Sequence, residues 1–325
     1  MADKATAAMG QRAAVDEKTR RRNRFRKEYL NNWQLYVLLL LPLIWLIIFC
    51  YYPMLGTQIA FKKFKLSQGI WGSPWVGLDN FQRFFHSYQF TRVLKNTLTL
   101  SFYNLLAGFP LPIILALALN VVRNQFYKKF VQMVTYIPHF ISVLVIVGML
   151  IQIFNPRIGL YGVIVQRLTG EAAPDLLGNP KAFPHLYVWS GAWQTLGWSS
   201  IIYLSALSAV DPELHEAAKV DGASRFKRLL VLDLPTVIPT ATILLILNVG
   251  RIMSIGFEKV YLMQNDLNLS ASEIISTYVY KVALGPQGGD FSLGAAIGLF
   301  NSVINLILIV VVNKVSNKVS GSGLW

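Results

Sequence analysis

Residues 211–235 read Asp211-Pro-Glu-Leu-His-Glu216-Ala217-Ala218-Lys-Val-Asp221-Gly222-Ala223-Ser-Arg-Phe226-Lys-Arg-Leu-Leu-Val-Leu-Asp-Leu-Pro235. The segment carries its own punctuation. Asp211 is a helix-capping residue, and the proline after it suits the first helical position. Glu213 and Glu216 favour the positive end of the helix dipole. Ala217 and Ala218 are small helix formers that leave room for a partner to approach. Gly222 ends the helix and turns the chain. Ser224 can cap a second short helix bearing Phe226, Lys227 and Arg228, which Leu234-Pro235 then stops. The pattern predicts helix, turn, helix; on the residues alone, an ordinary amphipathic loop between two membrane spans fits equally well.

The flanking sequence says where this segment sits. The 325-residue chain is 54% hydrophobic and 14% charged, against roughly 45–50% apolar and about 25% charged for a soluble domain. The excess is gathered into blocks long enough to cross a bilayer, for which about 20 apolar residues suffice. Six blocks are predicted as spans: 33–55, 96–122, 130–154, 185–210, 236–257 and 291–313. The second is interrupted by Pro110 and Pro112 and the third contains Pro138, which neighbouring helices can accommodate. The fold class is therefore all-α integral membrane, with segment 211–235 between the fourth and fifth spans. A β-barrel would alternate apolar and polar residues in segments of about ten, and does not.

Charge sets the orientation. With the N-terminus inside, 18 of the 30 Lys and Arg fall on the inner side and 11 outside, with Arg251 in a span. The bias places both termini and segment 211–235 in the cytoplasm, although six basic residues between Lys62 and Lys95 count against it. Residues 1–33 read as a basic cytoplasmic tail, 34–313 as the six-span domain and 314–325 as a cytoplasmic C-terminal tail. The apolar run that begins at Trp33 is too long for a cleaved signal and reads as an uncleaved first span. The net charge of +14 belongs to loops that flank spans, not to a nucleic-acid surface. Cys50 is the single cysteine and the four histidines are far apart, so no metal-ligand spacing exists. The external loop 57–93 carries Trp71, Trp75, Phe81, Phe84 and Phe85, which suit either a small folded cap or the membrane interface.

The spacing Glu216-Ala217-Ala218, Gly222, Leu232, Leu234-Pro235 resembles the signature of binding-protein-dependent ABC importer permeases. Further segments resemble the carbohydrate branch of that family: Tyr52-Pro53, Trp75-Val-Gly-Leu-Asp-Asn-Phe81, Tyr136-Ile-Pro138 and Trp193-Gln-Thr-Leu-Gly-Trp198. Ile274-Ile-Ser-Thr-Tyr-Val-Tyr280 and Gly298-Leu-Phe-Asn-Ser-Val-Ile-Asn305 resemble its complex-polysaccharide subgroup, which includes permeases for oligosaccharides of acidic polymers such as alginate. The resemblance covers most of the chain after the basic tail. It implies a type I importer permease fold in a bacterial inner membrane. It further implies that the chain forms half of a path for oligosaccharides, with a second, different permease as the other half. Two ATP-binding subunits and an extracytoplasmic solute-binding protein complete the implied assembly. Glu216, Ala217, Ala218, Asp221, Gly222, Ala223, Phe226 and Pro235 would then form the coupling segment that docks on an ATPase subunit. The chain has no G-x-x-x-x-G-K-[ST] loop, so ATP and magnesium are expected on the partner subunits, and no catalytic constellation is present.

A charged side chain within a span costs about 2.5–3.5 kcal/mol on insertion scales and generally faces the bundle interior. Arg251, about two-thirds along the fifth predicted span, can face the cavity and meet a substrate carboxylate, pair with Glu258, or snorkel outward. Asn248 precedes it by one helical turn. The fourth span offers Trp189, Trp193, Gln194, Trp198 and Tyr203. Trp193 and Gln194 are the candidates for sugar contact, although tryptophans near a span end commonly form an interfacial belt. Asn301, Ser302 and Asn305 fit interhelical hydrogen bonding. An ion-driven secondary sugar transporter would instead show internal repeats and acids within the spans, and a membrane enzyme acting on lipid-linked sugar would show clustered catalytic acids; none of these is evident.

Overall fold

The computed structural model describes residues 32–286, 289–320 and 323. The basic tail, except for its last two residues, lies outside them, as do most residues after Ser320. The chain forms two compact units, 1–58 and 59–325. Helices are numbered here in chain order.

In the first unit, α1 (Trp33–Leu46) continues through a π turn at Ile47–Tyr51 and a short helix at Tyr52–Met54. The helical run Trp33–Phe61 is long and apolar enough to cross a membrane. The π turn has a local cause. Pro53 has no N–H for the carbonyl of Phe49, and its ring crowds that carbonyl, so the helix widens by one residue there.

The second unit opens with a folded cap: α2 (Gly69–Gly72) and α3 (Asp79–Phe85). An isolated bridge pairs Lys62 with Trp75. The Asn80 amide donates to the carbonyls of Ala60 and Lys62 at 2.9 and 3.0 Å. Loop 57–93 is thus a folded cap that buries Phe84, but Trp71 and Trp75 stay exposed on it.

The second span is α4 (Tyr88–Gly108) followed by α5 (Pro110–Val121). The third is α6 (Gln125–Tyr136), a 3-10 turn at Ile137–Phe140 and α7 (Val143–Ile153), bent by 99°. One continuous span over 130–154 is therefore corrected to a broken pair. Pro138 disrupts the α pattern, and Ser142 starts a new helix by accepting from Val145 N at 3.4 Å. After α8 (Leu160–Thr169) comes α9 (Phe183–Leu207), the fourth span. At 25 residues α9 is about 37 Å long. It packs against α4, α5 and α6 and buries residues along its length from Phe183 to Leu207. Gly197 permits the α6 approach, since a Cβ there would lie 2.2 Å from the carbonyl oxygen of Thr135.

Next come α10 (Pro212–Val220) and α11 (Arg225–Arg228). A π turn at Leu229–Asp233 joins α11 to α12 (Leu234–Val249). Helix is thus unbroken over Arg225–Val249, which corrects the predicted fifth span of 236–257 at both ends. Pro235 does not stop the second short helix. Its missing N–H frees the Val231 carbonyl inside a π turn, as Pro53 does in the first unit. At the other end, Gly250 and Arg251 leave the helix, and a 3-10 turn follows at Ile252–Ser254. The chain closes with α13 (Phe257–Met263), α14 (Leu269–Ser272), α15 (Ile275–Leu284) and α16 (Phe291–Ser320). The last span thus continues as helix past residue 313, into the stretch read as a tail.

By length and composition, four helices of the described residues can cross a membrane, five with the bent pair; α9 is the sixth expected span. Among the described residues there is no strand. One core cluster joins α5, α9 and α12 through Ala116, Leu117, Tyr203, Leu207 and Val237. Another packs α9 against α4 and α13 through Leu100, Tyr187, Val188 and Val260.

Candidate functional site: a polar cavity and a paired-helix segment

The segment 211–235 folds as its residues dictate. Asp211 accepts from Glu213 N at 2.9 Å, with Pro212 opening α10. At the C-terminal end, Ala223 N bonds to Ala218 O at 2.9 Å and Gly222 N to Lys219 O at 3.1 Å. Gly222 has φ +76°. This is a Schellman stop, in which the left-handed residue is cheapest as glycine. Ser224 then accepts from Lys227 N at 3.2 Å and starts α11. Glu216, Ala217, Asp221, Gly222 and Phe226 are exposed, while Ala218 and Ala223 are half-buried. Leu214, Val220 and Phe226 are exposed apolar side chains of the segment, and Glu216 pairs with Lys219 at 3.4 Å. Pro235 is not among them; it lies within the span.

Beneath the segment, Asp233 is 2% exposed. His215 Nε2 of α10 lies 3.2 Å from its Oδ1, and Asn120 Nδ2 of α5 donates to the same oxygen at 3.2 Å. Arg228 reaches the His215 carbonyl at 3.4 Å. The carboxylate therefore ties α10 and α5 to the start of the fifth span.

About one span length away, a cavity of about 700 Å³ opens between α4, α9 and the end of α12. Such volumes lie within the ~300–1,000 Å³ usual for small-molecule sites. Each wall is one helix face. On α9, Gly191, Gln194, Thr195 and Trp198 line it, at the i, i+3, i+4, i+7 spacing of a single stripe; on α4, Ser101, Asn104 and Gly108 do so. Asn248 and Arg251 line it from the end of α12, and Lys259 from α13. Ser101 Oγ donates to the Ile252 carbonyl, and Asn305 bonds to Met253 N at 3.1 Å and to Ser254 Oγ at 2.8 Å. These contacts hold the 3-10 turn that presents Arg251, and Asn305 is the interhelical tie expected of it.

The cavity gathers Asn248, Arg251 and Gln194 but not Trp193 or Glu258. Trp193 is one residue out of phase with the lining stripe of α9 and half exposed; Trp198 and Tyr203 line the wall instead. Glu258 is exposed and forms no ion pair with Arg251, whose side chain has no carboxylate partner among the described residues. Gln194 has a structural duty as well. Its amide donates to the Ile141 carbonyl at 3.0 Å, a group freed by the 99° bend. His139 at that bend stacks on Trp198, with ring centroids 4.5 Å apart and planes within 3°.

Sequence reasoning missed Lys259, Asn104 and Ser101. Lys259 is 7% exposed, donates to the Tyr187 carbonyl at 2.9 Å and lies 5.1 Å from the centre of the Tyr187 ring. Its signal was the single basic residue of a short helix, set between Glu258 and the apolar Val260. Among the described residues no Asp or Glu lines the cavity, and none form a cluster able to hold a metal.

Membrane-crossing helices around a polar cavity, with a capped helix pair exposed at one end, define a transport permease. The chain belongs to the family of binding-protein-dependent transport system inner membrane components, whose model matches residues 108–321. It is 42% identical over 295 residues to Protein LplB of Bacillus subtilis (strain 168), covering 91% of this chain and 92% of that protein. It is 40% identical over 321 residues to the polygalacturonan/rhamnogalacturonan transport system permease protein YteP of the same strain, covering 98% and 99%. The fold matches a chain of a bacterial ABC transporter involved in the import of the acidic polysaccharide alginate. The TM-score is 0.84 at 37% identity, over 91% of this chain and 99% of that one. The architecture is thus the type I ABC importer permease fold, and the ion-driven alternative is set aside.

Proposed function

We propose that this chain forms half of the translocation path of an ATP-driven importer for acidic oligosaccharides, alginate-like or pectin-like. The observation that carries the reading is the cavity: amides, hydroxyls and the Trp198 ring suit a sugar, and among the described residues Arg251 has no carboxylate partner and no acid lines the wall. Family membership supports the rest of the assembly. A second permease of different sequence supplies the other half, and two ATP-binding subunits, which carry ATP and magnesium, hydrolyse it. An extracytoplasmic binding protein delivers the sugar; one solved relative is in complex with an alginate pentasaccharide-bound periplasmic protein. Glu216, Ala217, Ala218, Asp221, Gly222, Ala223 and Phe226 form the docking surface for an ATPase subunit, with Pro235 shaping the span behind it. Both termini face the cytoplasm on this reading.

The test is uptake of uronate oligosaccharides into proteoliposomes containing the whole assembly. Uptake should require ATP on the side of the ATPase subunits. Uptake that continues without those subunits would refute the reading.

A further inference from the structure

We infer that Lys259 is the residue that selects an anionic saccharide over a neutral one in this cavity. The inference rests on the cavity being the cargo path.

The argument begins with where α13 puts the side chain. Val260 and Met263 anchor this short helix in a core cluster with Phe183, Tyr187 and Val188 of α9. That packing leaves Lys259 between α13 and α9, where its stem is buried and its ammonium reaches the cavity wall. Gly191 lies beside the ammonium; a Cβ at that position would come within 3.2 Å of Nζ. The glycine leaves that stretch of wall low.

The charge is poorly compensated. A lysine is rarely so buried unless it is paired, and an uncompensated buried ion costs several kcal/mol. Here the partners are the Tyr187 carbonyl and the Tyr187 ring face. No carboxylate of the described residues lies within ion-pair distance of Nζ. An ammonium has three donors, and the carbonyl uses one. Neutral saccharides offer hydroxyls that a serine or asparagine would serve without this cost. A carboxylate on the cargo both accepts the remaining donors and supplies the missing charge, which makes the bond stronger than a neutral one.

Arg251 differs in kind. It is exposed, just past the end of α12. It can draw anions towards the cavity. Lys259 is held at one point and so can discriminate by geometry.

A purely structural role is the competing account: Nζ staples α13 to the Tyr187 carbonyl, and selectivity lies elsewhere. Binding to the purified permease–ATPase assembly without its binding protein separates the two. Equilibrium dialysis would compare a uronic acid trisaccharide with its carboxyl-reduced, neutral counterpart. The intact protein should prefer the acidic sugar by about tenfold or more, as expected for a hydrogen bond to a charged group. Lys259→Met should cut the preference several-fold or more, mainly by weakening binding of the acidic sugar. Lys259→Arg, which keeps the charge, should restore much of the preference even if its packing costs some stability. A Lys259→Met protein that keeps the full preference would overturn the inference and leave the cargo reading standing. An unsubstituted assembly with no preference would overturn both.

Discussion

His215 Nε2 on α10 lies 3.2 Å from Oδ1 of Asp233, at the end of the π turn that opens the fifth span. Asn120 of α5 meets the same oxygen. A displacement of α10 must therefore either carry the base of two spans with it or break bonds to a buried carboxylate. Helix α12 runs from this junction to Asn248 in the cavity wall, 16 residues or about 24 Å. The junction thus joins α10 and α5 to the helix that runs on to the cavity wall.

Asp233→Ala should loosen that link. Removing a buried charged acceptor strands two donors at about 1.5–3 kcal/mol for each bond lost. The assembled variant should hydrolyse ATP while sugar uptake falls by an order of magnitude or more, read as sugar transported per ATP. An unchanged ratio would assign Asp233 to stability alone.

Gly222→Val tests the docking segment. A β-branched residue at φ +76° is strained by roughly 1–2 kcal/mol, and the Schellman stop should unwind. Membrane insertion should survive, but co-purification with the ATPase subunit should weaken. Normal sugar-stimulated ATP hydrolysis in the assembled variant would count against docking there.

Arg251→Met should lower uptake of acidic oligosaccharide several-fold while the assembly stays intact, since its side chain forms no ion pair among the described residues. Measured uptake equal to that of the unsubstituted protein would remove Arg251 from the path.

Glu273→Gln addresses the fold. Glu273 is 2% exposed, pairs with Arg92 of α4 and lies 3.6 Å from Lys281 of α15. Asn96 also binds the Glu273 carbonyl at 3.0 Å. Loss of one partner of a buried ion pair costs about 3–5 kcal/mol, and the partial exposure of both cations reduces that. The melting temperature in detergent should drop by several degrees, with the preference for acidic sugar unaltered.

Much of this was legible in the sequence where the cause is local. Asp211, Gly222 and Ser224 act on neighbours within five residues, so their caps could be read from spacing. The ends of the fifth span could not. Pro235 was read as a stop because a proline normally breaks an α-helix, but a wider turn absorbed it. Trp193 was preferred to Trp198 for a similar reason: choosing between them requires knowing which stripe of α9 faces inward, and α9 is packed on several sides. Lys259 was invisible as a site residue because its neighbours in space, Tyr187 and Gly191, are about 70 positions away in the chain.

The π turn at Leu229–Asp233 has one more consequence. A wide turn is geometrically an inserted residue, and each residue of an α-helix advances the side-chain azimuth by about 100°. The bulge thus acts as a phase shifter. It lets Phe226 and Arg228 keep one heading in the exposed helix pair while Asn248 and Arg251 keep another at the cavity. A single-residue deletion among 229–232 that restored regular helix would rotate the two ends against each other, and would misaim one of them while leaving Phe226, Arg228, Asn248 and Arg251 in the sequence.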